Sequence, residues 1–350
     1  MLKYADPRRR LLKDLSRTWV LQRLRRIELS AIPEWIGSRV AVASRYQHSL
    51  SVGELSLLVS GGDKDELLLL TAASTLHDVG VGPFPHLSDQ VMKEILGFPH
   101  EGAVKFAFEN SPLKDSRILE KYGLDLDEVA SIVEGSHRLS KFLHGLPDLD
   151  NADNIYRFII SIPGRPLGEP SYTPQEIARL MSLEGNLILP DALRKRWISD
   201  FRKAYSYLRD NEMNMIGWTM LGRALRLLRD ELNPGFFRLT NKEAYCLIKT
   251  KIPKIIKGIE RREFRIILDR KYAELKGEAR KILDLSSLCG LEQALSEELN
   301  LEEWMVGLSV IHTMPGEDPS YWRVYLVSYR GNSKPREVLE NILSNSIPFE

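Results

Sequence analysis

The sequence predicts a mainly α fold: a helical bundle with a small β-hairpin near its first histidine motif, closed by a small C-terminal α+β segment. Three observations carry this reading. Apolar residues recur at helical intervals over most of the first 300 positions, with glycine and proline as stop signals between the periodic stretches. Runs rich in Val, Ile, Trp and Tyr are confined to 304–312 and 321–329, on either side of a loop containing Pro315, Gly316 and Pro319. The 350 residues are 43% hydrophobic and 28% charged, enough to bury one large core or two ordinary ones without disulfides or structural metal.

Residues 8–30 read as an amphipathic helix, because Leu12, Leu15, Trp19, Leu24 and Ile27 fall at helical spacing among arginines and lysines. Positions 32–46, with Pro33, Gly37 and the β-branched Val40 and Val42, suit a short strand or hairpin. Helix returns at His48, which shares the apolar stripe of Val52, Leu55 and Val59 and so faces inward, and Gly61 and Gly62 end it. A third helix covers 65–78, with Leu70, Ala73 and His77 on one face and Gly80, Gly82 and Pro83 behind it, so His77 and Asp78 sit at a helix end beside a turn. Further periodicity marks helices at 86–96, 100–109, 126–144 and 150–162. Pro166, Gly168, Pro170 and Pro174 make a loop, after which helices are expected at 191–232, 241–262 and 270–283. A final helix at 335–344 would pack on the C-terminal hairpin. The expected organisation is a core unit at 1–165, a helical continuation packed on it at 166–300, and the α+β segment at 301–350.

Composition excludes several classes. No segment approaches the run of about 18 apolar residues that a membrane helix needs, and the first residues lack the apolar stretch of a secretory signal. The expectation is therefore a cytoplasmic protein with no membrane partner. Cys246 and Cys289 lack CxxC spacing and read as reduced, inert thiols. A formal net charge of +1 gives no global field for steering nucleic acid. Arg8, Arg9, Arg10, Arg23, Arg25 and Arg26 read as solvated helix charge, since no nucleic-acid motif accompanies them.

Four stretches carry the chemistry: SRYQHS at 44–49, TLHDVGVGPFPHLSD at 75–89, PHEG at 99–102 and PDLDNADNIYRF at 147–158. Imidazole and carboxylate together suit borderline and hard divalent metals such as Mn, Mg, Fe, Ni or Zn. A lone His-Asp pair is more often a capped helix terminus, so the pair at 77–78 gains meaning only from the other three stretches.

Together these stretches resemble the HD superfamily of metal-dependent phosphohydrolases, and within it the dNTP triphosphohydrolase branch. That family binds its metal through a histidine in a motif like RFEHS, the pair in one like HDIGHGPFSH, and an aspartate in one like DxDRxDY. Here RYQHS supplies His48, HDVGVGPFPH supplies His77 and Asp78, and DLDNAD supplies Asp150, in the same order. LQRLRRI at 21–27 is similar to the QRLRxIxQ segment ahead of the first ligand, which makes Gln22 a substrate contact. The resemblance implies one divalent metal ion on His48, His77, Asp78 and Asp150. It also implies His86 and His100 as proton-transfer groups, Asp89 as the carboxylate that orients His100, and Arg45 as a phosphate ligand through its planar fork of donors. A homo-oligomer is implied as well.

The substrate end departs from the family pattern. Val81 stands where that branch has a histidine, and Asn151, Asn154 and Phe158 replace a basic residue, a tyrosine that packs on the sugar, and a further aspartate. Asp150, Asn154 and Phe158 lie at i, i+4 and i+8, one helical stripe leading away from the metal, with Asn154 as the substrate-side candidate on it. The expected activity is metal-dependent hydrolysis of a phosphate ester or anhydride on a phosphorylated small molecule, foremost a nucleotide in the manner of a dNTP triphosphohydrolase. The alternative is a metal-containing, nucleotide-binding regulatory protein with little or no turnover.

Overall fold

Side-chain caps start several helices of the N-terminal half. The structure is a computed structural model, and it describes residues 6–36, 40–113, 115–185, 189–272, 285–312 and 322–346. Helix α1 (Pro7–Leu15) is capped by Asp6, whose carboxylate accepts the Arg8 N–H, and it buries Leu11 and Leu15. The single helix expected over 8–30 is broken before α2 (Trp19–Arg23), because the hydroxyls of Ser16 and Thr18 turn back to donate to the Lys13 and Leu15 carbonyls. Helix α3 (Arg45–Ser56) opens with a reciprocal capping box between Ser44 and Gln47, three residues ahead of the expected start, and stops short of Gly61. Helix α4 (Lys64–Leu76) uses the same device between Asp63 and Glu66. Then come α5 (Asp89–Leu96), α6 (Val104–Glu109), α7 (Arg117–Lys121), α8 (Leu126–Val133) and α9 (Leu149–Ser161). The helix expected over 126–144 stops at Val133 and is followed by the separate 3-10 turn Arg138–Phe142.

The hairpin expected over 32–46 does not form among the described residues. Glu34–Ile36 is a 3-10 turn, and the strand-like contact nearby is the single bridge between Glu28 and Ser44. Residues 40–43 instead run as an extended segment between helices: Ala41 and Ala43 are buried in the helical core, and the Val42 N–H donates to the Ser161 carbonyl at the end of α9. Val42 is exposed between the buried Ala41 and Ala43, so the in-out alternation of a strand is met there without a partner strand, while Val40 is buried as well.

The second half contains α10 (Pro174–Ala178), α11 (Asp191–Asp210), α12 (Glu212–Leu228), α13 (Asn241–Lys251) and α14 (Pro253–Glu260). Each of the two long helices expected there is cut once. Asn211 ends α11 and caps α12 by accepting the Asn214 N–H, while Pro253 has no N–H to continue α13 and begins α14. A three-stranded antiparallel sheet follows in the order β1 (Phe264–Tyr272), β3 (Trp322–Tyr329), β2 (Val306–His312), with α15 (Leu285–Glu298) before β2 and α16 (Lys334–Ser346) after β3. The expected β2–β3 pairing is present. Residues 270–272 of the expected helix over 270–283 belong to β1, whose Phe264 and Leu268 are buried against the sheet's neighbours; residues 273–283 lie outside the described residues.

One buried cluster binds α1–α4 to α6, α8, α9 and α11, and a second packs α12–α14 against α5, Phe264 and Val327. Helix α12 touches all three strands, and its Arg223 and Arg226 grip the fully buried Glu292 of α15 at 2.6–2.9 Å. The sheet is thereby fixed to the helices that wall the site. Among the described residues no helix is long and apolar enough to cross a membrane, and Cys246 and Cys289 are both free thiols.

Candidate metal centre

His48 lies in the first turns of α3, His77 closes α4, Asp78 occupies the turn after it, and Asp150 sits in the first turn of α9. The fold brings them together. The Nε2 atoms of His48 and His77 are 3.2 Å apart, Asp150 Oδ1 is 2.8 Å from the first and 3.7 Å from the second, and Asp78 Oδ2 is 3.9 Å and 3.6 Å from the same two nitrogens. His48 is wholly buried, and Asp150 is the most exposed of the four.

The partners of the other ring nitrogens fix what this cluster can do. His48 Nδ1 is 2.8 Å from the Asp153 carboxylate, and His77 Nδ1 is 2.9 Å from the Ser74 carbonyl. Carboxylate and carbonyl only accept, so each Nδ1 carries a hydrogen and each Nε2 is the ring atom left to coordinate a cation at the shared centre. Two lone pairs at that distance repel unless a proton or a cation lies between them. With two carboxylates beside them, the donor set carries a formal charge of about −2 and suits a divalent cation.

Charge balance without a cation shows the same demand. Burial opposes charging of His48, yet hydrogen bonds to Asp150 and Asp153 outweigh it and raise its pKa to about 9. Burial likewise opposes charge on Asp78, but Arg45 and the two histidines hold its carboxyl well below the usual range. Asp148, which caps α9 by accepting the Asn151 N–H, is pushed up by burial and by Asp150.

Close packing sets the height of the His-Asp turn. A Cβ on Gly80 would lie 2.2 Å from the His100 carbonyl oxygen and 2.8 Å from Ala103 Cβ, so only glycine lets this turn rest on the 3-10 turn His100–Ala103. From the other side the half-buried Arg23 donates to the carbonyls of Val79 and Val81, and to those of Phe237 and Leu239 at 3.4 Å. Arg23 is thus a clamp on the turn, contrary to its expected role as solvated charge, whereas Arg9, Arg10, Arg25 and Arg26 are exposed as expected.

His86, Asp89 and His100 form a second group. His100 Nδ1 is 2.9 Å from Asp89 Oδ2, and His86 Nδ1 is 3.5 Å from the same oxygen. Burial disfavours the charged form of His100, but the Asp89 hydrogen bond dominates and raises its pKa to about 9; Asp89 is held low in return against its own burial. Phe84 and His86 take left-handed backbone angles, φ 56° and 63°, in a loop anchored by the Phe84 N–H donating to Asn241 Oδ1 at 3.0 Å.

Arg45 links the two groups. Its NH1 donates to both Asp78 oxygens at 3.0 and 3.1 Å, and its NH2 donates to the Leu29 carbonyl at 3.1 Å and lies 3.0 Å from His86 Nε2. Its Nε is buried without a partner. Asn154 lines a cavity of about 150 Å³ with Arg45, His77, His86, His100 and Asp150. Gln22 is not brought to the cluster: it donates to the Ser16 carbonyl, accepts from Arg25 Nε at 2.7 Å, and lines a separate basic groove with Trp19, Arg23 and Arg238. Sequence reasoning missed Asp153 and Tyr205. Asp153, three residues after Asp150 on the same helix face, carries the signal that would have found it; Tyr205 of α11 carries none.

Residues 45–157 match the HD-domain family. The structure is similar to the crystal structure of a phosphohydrolase from Bacteroides thetaiotaomicron VPI-5482, with a TM-score of 0.61 at 16% identity over 91% of this chain and 95% of that one. No curated protein is significantly similar in sequence. His48, His77, Asp78 and Asp150, which converge from three separate helices and the turn after one of them, all lie within the segment 45–157 that is similar to the HD domain.

Proposed function

We propose that this chain is a metal-dependent phosphohydrolase that hydrolyses a phosphate ester or anhydride of a small molecule, with one divalent cation held by His48, His77, Asp78 and Asp150. The observation that carries the reading is the pair of facing Nε2 atoms, each with its Nδ1 already committed, between two carboxylates. Such a cation, when bound, polarises a phosphoryl oxygen and makes water acidic enough to attack phosphorus near neutral pH. The chain's own groups do the rest. His100, held by Asp89 through Nδ1 and protonated up to about pH 9, has Nε2 left to give a proton to the departing oxygen. Arg45 holds the Asp78 carboxylate and the His86 ring together, which supports a role for His86 as the contact of the substrate phosphate.

The motif resemblance adds a nucleotide as the substrate, with dNTP triphosphohydrolase-like cleavage as its narrowest form and Asn154 on the substrate side. The competing reading is a metal-containing nucleotide sensor without turnover. The His100–Asp89 pair favours turnover, because binding alone needs no positioned acid. The test is product analysis of nucleoside mono-, di- and triphosphates and simple phosphomonoesters with added Mn²⁺. Metal-dependent release that vanishes in His77→Ala supports hydrolysis; thermal stabilisation by nucleotide with neither phosphate nor triphosphate released supports the sensor.

A further inference from the structure

A second cavity, of about 250 Å³, adjoins the metal centre and shares Arg45, His86, Asn154 and Tyr205 with the smaller one. The helical stripe Asp150, Asn154, Phe158 runs from one to the other: Asp150 lines the metal cavity, Asn154 both, and Phe158 only the second. The walls of this second cavity are mostly apolar, lined by Ile32, Ile155, Phe158, Met215, Trp218 and Ile311. Two buried polar atoms there lack partners, Ser30 Oγ and Arg45 Nε.

From these observations we infer that the substrate is a phosphate monoester whose organic part is small and largely apolar, seated in the second cavity while its single phosphate meets the metal centre. This rests on the phosphohydrolase reading and narrows it. Among the described residues the permanent cations lining the two cavities are Arg45, already bound to Asp78, and Arg209, whose Nε donates to the Tyr205 carbonyl, while the charge of His100 is already paired with Asp89. A triphosphate brings about four negative charges and requires several charge-assisted donors. A nucleobase would set much of its N–H and carbonyl edge against Ile32, Phe158 and Trp218, with Ser30, Asn154 and Asn214 among the uncharged side chains left to pair it, and each edge atom left unpaired would weaken its binding. An apolar group meets no such penalty. One hydroxyl or ether oxygen on it would find Ser30 and the Arg45 Nε hydrogen. The volume lies below the roughly 300–1,000 Å³ of sites for drug-sized ligands, which limits the organic part to a short chain or one ring. In the reaction, water oxygen forms a bond to phosphorus, the P–O bond to the alcohol breaks, and the alcohol leaves with the proton from His100.

Alkyl esters of similar leaving-group acidity test this without confounding reactivity. Hydrolysis by the Mn²⁺-loaded full chain is measured as phosphate release from ethyl, hexyl, 2-phenylethyl and glycerol phosphates and as deoxyguanosine, dGMP or dGDP formation from dGTP, alongside calorimetric binding of 2-phenylethylphosphonate. The expected result is a kcat/KM at least tenfold higher for 2-phenylethyl than for ethyl or glycerol phosphate, with dGTP below both. Ile311→Asn, at a half-buried position of the wall, is expected to shrink the ratio between phenylethyl and ethyl esters severalfold. Hydrolysis that is flat across the series, or fastest for dGTP by any of its products, overturns the apolar-substrate inference and leaves the hydrolase standing. Tight binding of the phosphonate with no ester hydrolysed supports the cavity assignment and overturns turnover. Neither binding nor hydrolysis overturns both.

Discussion

His48 and His77 face each other through Nε2 atoms 3.2 Å apart, with ring planes 84° from parallel, while Asp153 and the Ser74 carbonyl occupy their Nδ1 atoms. A cation between them relieves lone-pair repulsion and the −2 charge of the carboxylates, and it binds the folded chain alone. Thermal unfolding should therefore shift with metal: Mn²⁺ at 100 times its Kd adds about 2.7 kcal/mol, and EDTA removes it. Identical melting curves in EDTA and in Mn²⁺ would count against the site.

Asp153 also accepts from Ser51 and Arg157, and it is almost wholly buried. Asp153→Asn weakens the acceptor that fixes the His48 tautomer and strips Arg157 of its charged partner. Metal affinity should fall about 10- to 100-fold. Stability should fall by about 1–3 kcal/mol. Titration calorimetry and urea unfolding read the two effects separately.

The His100–Asp89 pair predicts a pH window. The folded pKa of His100, about 9, lies above its unfolded value near 6.5, so its contribution to stability is complete below about pH 6.5 and is lost as pH rises through 9. Asp89 is depressed below its unfolded value, so its contribution is present above about pH 4 and is lost on further acidification. As proton donor, His100 should sustain kcat/KM up to about pH 9. In Asp89→Asn the raising partner is gone while burial remains, so the alkaline limb should move down by more than one unit. A pH–rate profile with an unmoved limb would show that another group supplies the proton.

Gly80 separates the ligand pair from the His100 turn with no room for a methyl group. Gly80→Ala should destabilise the chain by about 1–3 kcal/mol and displace His77 and Asp78 relative to His100. Activity should fall well beyond what the unfolded fraction explains, as circular dichroism and turnover on one sample would show.

The helical core and the convergence of His48, His77, Asp78 and Asp150 were legible because they rest on short-range signals: the apolar stripe His48 shares with Val52, Leu55 and Val59, the helix end at His77, and the periodicity of the helix that carries Asp150. What failed depended on long-range partners. Val40 and Val42 have strand-like character, but the segment is held by the Val42 N–H to the end of α9 and by burial of Ala41 and Ala43, and no second strand is beside it among the described residues. β1 exists through its pairing with β3, more than fifty residues away, and the charged run after Leu268 hid it behind a helical pattern. Arg23 looked like one more exposed arginine in a basic helix, since the carbonyls that bind it come from Val79, Val81, Phe237 and Leu239. Gln22 was placed by motif alone and lies in a different groove.

Metal content decides the central claim most directly. Elemental analysis of the purified chain after Mn²⁺ loading and desalting should find roughly one ion per folded chain, and less than about a tenth of that in folded His77→Ala and in folded Asp150→Ala. Unchanged metal content in both variants would contradict the assignment of these side chains as ligands.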